Sequence, residues 1–209
     1  MKQKVDLSNW NRKEHFQFFN SFEEPYFGIT VQLDCENAYH KAKSLGVPFS
    51  TYYLHKTLVA VNENKALRLR IEGKEVYEFS EIHGSSTVMR ADHTFGFSLI
   101  AYDAYISVFA QHAANEIERV KETTGLFTRE FSPNVIHFSA LPWLAFTAIS
   151  HARSFTLPDS CPKMSFGKMT TTALGKRSIP FSVHAHHALV DGYDVGLFVN
   201  RLQDLLNEN

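Results

Sequence analysis

The chain has 209 residues, 44% of them hydrophobic and 13% aromatic, and its 21 basic and 22 acidic residues leave a net charge of −1. That length can bury a large core, and balanced charge without any Lys/Arg-rich run gives no footprint for nucleic acid or an anionic membrane. No apolar run approaches the ~20 residues that span a bilayer, and the opening Met1-Lys-Gln-Lys-Val-Asp6 lacks the apolar stretch of a secretory signal. The expectation is a cytoplasmic protein, one domain over residues 1–209, whose partners are small molecules or copies of itself.

Periodicity predicts a short helix over 12–19 and a strand over 26–33 with Phe27, Ile29, Val31 and Leu33 on one face. Helices over 35–45 and 49–62 follow. The second opens after Pro48, whose fixed φ suits a helix start, and buries Tyr53, Leu54, Leu58 and Val61. Strands over 67–71 and 76–79 form a hairpin about Glu72-Gly73-Lys74, and strands over 87–90 and 95–100 continue the sheet. A long helix covers 104–124. Further strands are predicted at 135–139, 143–150, 164–169 and 178–186, and Val195, Phe198, Leu202 and Leu205 mark a final amphipathic helix. Strands in runs, without regular βα alternation, argue against a doubly wound nucleotide-binding fold. They give an α/β two-layer sandwich, a mixed central sheet with helices packed on one side.

Cys35 and Cys161 stand far apart without CxxC spacing and read as ordinary thiols. The eleven histidines are scattered, with no carboxylate or thiolate at a recognisable partner spacing, so no metal site is expected. Lys168 and Arg153 are candidates for phosphate contacts, with solvated surface charges as the ordinary reading of each.

The most informative stretch joins the last strand to the last helix: His184-Ala-His186-His187-Ala-Leu-Val-Asp191-Gly192. Histidine, with a pKa of about 6.5, is the commonest general base near neutral pH. Asp191 can cap the helix and Gly192 permits a tight turn beside it. The ordinary alternative is that adjacent histidines alternate across a strand, one in the core and one at the surface.

His187-x-x-x-Asp191-Gly192 resembles the signature of the chloramphenicol acetyltransferase family, within the wider group of CoA-dependent acyltransferases. Three further blocks match in order: Asn9-Trp10-x-Arg12-Lys13-Glu14-His15-Phe16, Ser139-Ala140-Leu141-Pro142-Trp143, and Phe198-x-Asn200-Arg201-Leu202-Gln203. Together they span nearly the whole chain. The resemblance implies a chloramphenicol-acetyltransferase-like sandwich and a homotrimer with active sites at subunit interfaces. It implies no tightly bound cofactor, acetyl-CoA as co-substrate and a small hydroxylated acceptor. His187 takes the general-base position, while Asp191 and Arg12 pair to hold its loop. Phe18, Phe19, Phe27 and Phe95 fall at acceptor-pocket positions, and Phe19 replaces a tyrosine whose hydroxyl contacts chloramphenicol. Ser165 falls where the family has a threonine that holds an ordered water.

At the position of the family's oxyanion serine this chain has Ala148, with Thr147 and Ser150 the nearest hydroxyls. On a strand, Thr147 would face away from position 148 and Ser150 would share its face. The implied activity is acetyl transfer to a hydroxyl of chloramphenicol or a related xenobiotic. The altered positions leave two alternatives: the same chemistry on another acceptor or with a longer acyl donor, or a weakly active member that binds CoA or a hydrophobic ligand.

Overall fold

The computed structural model describes residues 1–130, 132–156 and 159–208. In chain order its elements are β1 (Lys2–Lys4), α1 (Lys13–Phe19), β2 (Tyr26–Asp34), α2 (Glu36–Ser44), α3 (Phe49–Glu63), β3 (Leu69–Glu72) and β4 (Glu75–Phe79). Then come β5 (His83–Met89), β6 (Phe95–Phe97), α4 (Ile106–Glu122), β7 (Val135–Ala140), β8 (Lys163–Phe166), β9 (Thr170–Thr171), β10 (Arg177–His186) and α5 (Gly192–Asn207). The main sheet runs β2-β10-β8-β7-β5-β6, with β9 paired to β10. It is mixed: β7 lies parallel to β5 and β8, and the remaining pairings are antiparallel. A small antiparallel sheet, β1-β4-β3, stands apart from it.

Alternation along β10 decides what each face of the main sheet does. Ile179, Phe181, Val183 and Ala185 are buried, and Phe181 pairs across the sheet with Phe166 on β8 and Val31 on β2. Cross-strand partners share a face, so these residues form the apolar layer that meets Leu58 of α3 and Phe198 of α5 in one core. Burying each such large side chain contributes roughly 1.5–3 kcal/mol. The alternate positions pair Ser182 with Ser165 and Thr30, and His184 with Lys163 and Gly28. The opposite face of the sheet is therefore polar.

A segment that forms no strand covers part of this polar face. Residues 143–150, predicted as a strand, carry no ladder and are held at one end by backbone bonds along β8: Leu141 N–H donates to the Phe166 carbonyl at 2.8 Å and Lys168 N–H to the Leu144 carbonyl at 2.7 Å. Its apolar residues imitate a strand period, but Trp143, Leu144, Thr147 and Ala148 are all exposed. The predicted strand over 164–169 stops at Phe166, where Gly167 approaches Leu144 and Pro180 too closely to accept a Cβ. The strands β1 and β9 are too short to show a period. Helix α5 starts where the sequence indicates. Asp191 accepts hydrogen bonds from the N–H groups of Tyr193 and Asp194, and the Asp194 carboxylate in turn accepts one from the Asp191 N–H, a reciprocal capping box. Cys35 and Cys161 are free and buried.

Candidate active site

His187 leaves the end of β10 in a turn that its neighbours fix at three points. Its N–H donates to the Pro25 carbonyl at 2.8 Å, its carbonyl accepts from Arg12 Nη2 at 3.1 Å, and its ring Nδ1 lies 3.1 Å from the Val190 carbonyl. A carbonyl only accepts, so Nδ1 carries the proton and the Nε2 lone pair is left to receive one. The ring is half-buried between two aromatic side chains. Phe19 stacks on it at 3.9 Å between centroids and 9° between planes, and Phe27 closes the other contact at 4.6 Å and 40°.

Arg12 ties this turn to the helix behind it. Its Nη1 donates to Asp191 Oδ2 at 2.5 Å while Nη2 holds the His187 carbonyl, so one guanidinium spans the base and the cap. Burial pushes the Asp191 carboxyl up, but the Arg12 bond and the two helix N–H groups outweigh it and hold it below the usual carboxylate range. Phe18 is 60% exposed and packs edge-on to Phe19 and Phe22, extending an aromatic ledge beside His187. Five of the residues singled out from the sequence thus converge on His187: Arg12, Phe18, Phe19, Phe27 and Asp191.

The other four lie elsewhere on the chain. Phe95, on β6, has Phe97 as its ring partner at 5.7 Å among the described residues. Thr147 and Ala148 are exposed on the irregular segment, so the strand-face argument that set Thr147 opposite position 148 does not apply. Ser165 is fully buried on β8, with its Oγ 3.5 Å from His151 Nε2. His151 packs edge-on to His184 at 4.8 Å, and His184 Nδ1 lies 3.4 Å from the Ser182 hydroxyl.

Two features of the polar face were not legible from spacing. His151 reaches Ser165 across 14 positions of sequence through the irregular segment, and no short motif marks it. Arg153, expected as a solvated charge, instead lies over the Tyr26 ring at 3.6 Å and pairs with Glu24. Nearby, donor atoms of His137, Asp159 and Cys161 lie within 4.8 Å of one another. Asp159 is already ion-paired to Lys163, and the Cys161 thiol donates to the Pro133 carbonyl at 3.3 Å. The fully buried Arg70 guanidinium donates to that same carbonyl at 2.7 Å. With two cations beside it, the cluster repels a third.

A tautomer-fixed imidazole with a free lone pair, clamped by rings and an ion pair, can take a proton from a hydroxyl placed against Nε2. The chloramphenicol acetyltransferase family model matches residues 2–203. A chloramphenicol acetyltransferase of Proteus mirabilis is 29% identical over 98% of this chain and 94% of its own length. Chloramphenicol acetyltransferase 3 of Escherichia coli is 30% identical over 98% of this chain and 96% of its own. A solved chloramphenicol acetyltransferase superposes with a TM-score of 0.91 at 29% identity, covering 99% of this chain and all of that one. A dihydrolipoamide acetyltransferase of Azotobacter vinelandii shares the fold, with a TM-score of 0.68 at 14% identity over 93% of this chain and 86% of that one. With its fold and its family blocks in agreement over almost the full length, the chain belongs to the chloramphenicol acetyltransferase family and is an acyltransferase enzyme.

Proposed function

We propose that the protein transfers acetyl from acetyl-CoA to a hydroxyl of chloramphenicol or a related hydroxylated xenobiotic, with His187 as general base. The observation that carries this is the Nδ1 bond to the Val190 carbonyl, which leaves Nε2 as the proton acceptor. His187 Nε2 removes the acceptor hydroxyl proton as the oxygen attacks the thioester carbonyl carbon, and the carbonyl electron pair moves onto oxygen. Collapse of that tetrahedral oxyanion expels the CoA thiolate, which takes the proton back from His187. No acyl-enzyme forms. Base assistance of this kind is worth roughly 10²–10⁴-fold, with further gain from holding both substrates in one channel.

The site is completed between subunits of a homotrimer. Supporting this, the His187 group at the end of β10 and Ser165 on β8 do not touch on one chain, and large apolar side chains are left exposed beside each: Phe18 and Phe22 against Phe19, and Trp143 on the segment that leads to His151. Clustered exposed apolar side chains of this kind mark candidate interaction surfaces. Sedimentation of a particle three times the 23.8 kDa chain supports the trimer, and a monomer contradicts it.

The activity test is thiol release from acetyl-CoA with chloramphenicol as acceptor, together with mass analysis of the product. Chloramphenicol heavier by one acetyl group, in step with thiol release, supports the reading. Thiol release only with other hydroxylated acceptors moves the activity to another substrate, the reading that the hydroxyl-free Phe19 favours. No release with any acceptor leaves a CoA- or ligand-binding protein.

A further inference from the structure

We infer that His151 is the side-chain hydrogen-bond donor to the oxyanion in this chain, in place of the hydroxyl missing at Ala148. The inference rests on the acyl-transfer reading above and concerns how the other half of the site is built.

Ser165 is fully buried, so its own hydroxyl reaches neither substrate nor solvent. Directly against it is the half-buried ring of His151, with Nε2 3.5 Å from Ser165 Oγ, the long end of hydrogen-bond range. His151, unlike Ser165, is partly exposed and so presents a polar ring at the surface of this part of the sheet. Its other ring nitrogen has no protein partner among the described residues. When the Ser165 hydroxyl donates to Nε2, Nδ1 carries the proton and becomes a free N–H donor.

The ring is also held in place. His184 meets it edge-on at 4.8 Å, and a Cβ at Gly28 would come within 2.2 Å of His184 Nε2, so glycine there makes room for the pair. The groups facing His151 keep it neutral. Burial lowers its pKa to about 4, helped by the positive charge available to His184, Lys163 and His137. A neutral imidazole N–H is a competent donor to a developing oxyanion. It resists giving up its proton, and a ring held in place needs little reorganisation.

The test compares thiol release by wild type, His151→Leu, His151→Gln, Ala148→Ser, the His151→Leu/Ala148→Ser double variant and His187→Ala, with thermal melts to verify folding. Expected is an about 10²-fold loss of kcat in His151→Leu with acceptor KM nearly unchanged, the loss typical of one oxyanion donor. His151→Gln keeps an N–H and recovers much of the rate, and the double variant recovers it through the new hydroxyl. Wild-type kcat in His151→Leu, or a gain of about 10²-fold in Ala148→Ser alone, overturns the inference while leaving the reading intact. Wild type no faster than His187→Ala overturns the reading, and this inference with it.

Discussion

Phe19 lies flat on His187, with ring centroids 3.9 Å apart and planes 9° from parallel. The stack fixes the direction in which Nε2 points, a role a phenylalanine fills as well as the tyrosine that the family resemblance places there. An aromatic pair is worth about 0.5–1.5 kcal/mol beyond its buried area. Phe19→Leu therefore lowers kcat by roughly 2–10-fold through a looser base. Phe19→Tyr keeps kcat and, by supplying a hydroxyl, lowers KM for chloramphenicol. Steady-state kinetics of the two variants check both statements.

Asp191 carries two duties, the ion pair to Arg12 and the cap of α5. Losing a cap costs about 0.5–2 kcal/mol, and the ion pair, with the Asp191 side chain 36% exposed, adds little more than about 1 kcal/mol. Asp191→Ala lowers stability by about 1–3 kcal/mol in denaturant titration and lowers kcat as well. Asp191→Asn can still cap and loses less stability. Because the folded carboxyl titrates below its unfolded value, its contribution is present above the unfolded pKa and is lost as pH falls through the folded one.

Acid weakens the fold earlier than its carboxylates alone would, because the polar face holds neutral histidines. Burial first, and the nearby Arg153 charge second, lower the pKa of His186 to about 4, and burial likewise lowers His137 to about 4. Unfolded histidines titrate near 6.5, so between about pH 6.5 and 4 the unfolded chain binds more protons and stability falls as pH drops. For His186, 5% exposed, the loss by pH 5 is about 1–2 kcal/mol. Melting temperatures recorded from pH 7.5 to 5 decline in wild type, and the decline is shallower in His186→Gln. Equal slopes contradict the assignment.

Gly28→Ala is expected to be costly although the site is on an edge strand. A Cβ there meets His184 Nε2 at 2.2 Å, so the ring must swing away and lose its edge contact with His151. The expected result is a loss of stability of about 1–3 kcal/mol, the range for overpacking, together with reduced turnover. A second change, His184→Ala, relieves the stability loss in a melt.

The half of the candidate site around His187 was legible as a cluster because it is local. His187, Asp191 and Gly192 fall within six positions, capping chemistry is readable from residue type, and the Arg12 block matched as a unit. The long strands and helices were legible for a related reason, since Phe181, Val183 and Ala185 alternate as a half-buried strand must. The half around Ser165 was not. Residues 143–150 have a strand-like apolar pattern, yet they lie over a polar sheet face instead of pairing, and only the fold brings His151 onto Ser165 or Arg153 onto Tyr26. Hydrogen bonds made by irregular backbone leave no period to read.

In the proposed reaction His187 Nε2 takes the acceptor proton. The most direct measurement is the rate of acetyl-CoA thiol release in His187→Gln against wild type, with chloramphenicol binding followed in parallel by calorimetry. Expected is a fall in kcat of about 10²–10⁴-fold with the acceptor dissociation constant nearly unchanged. A variant that keeps most of the wild-type turnover contradicts it.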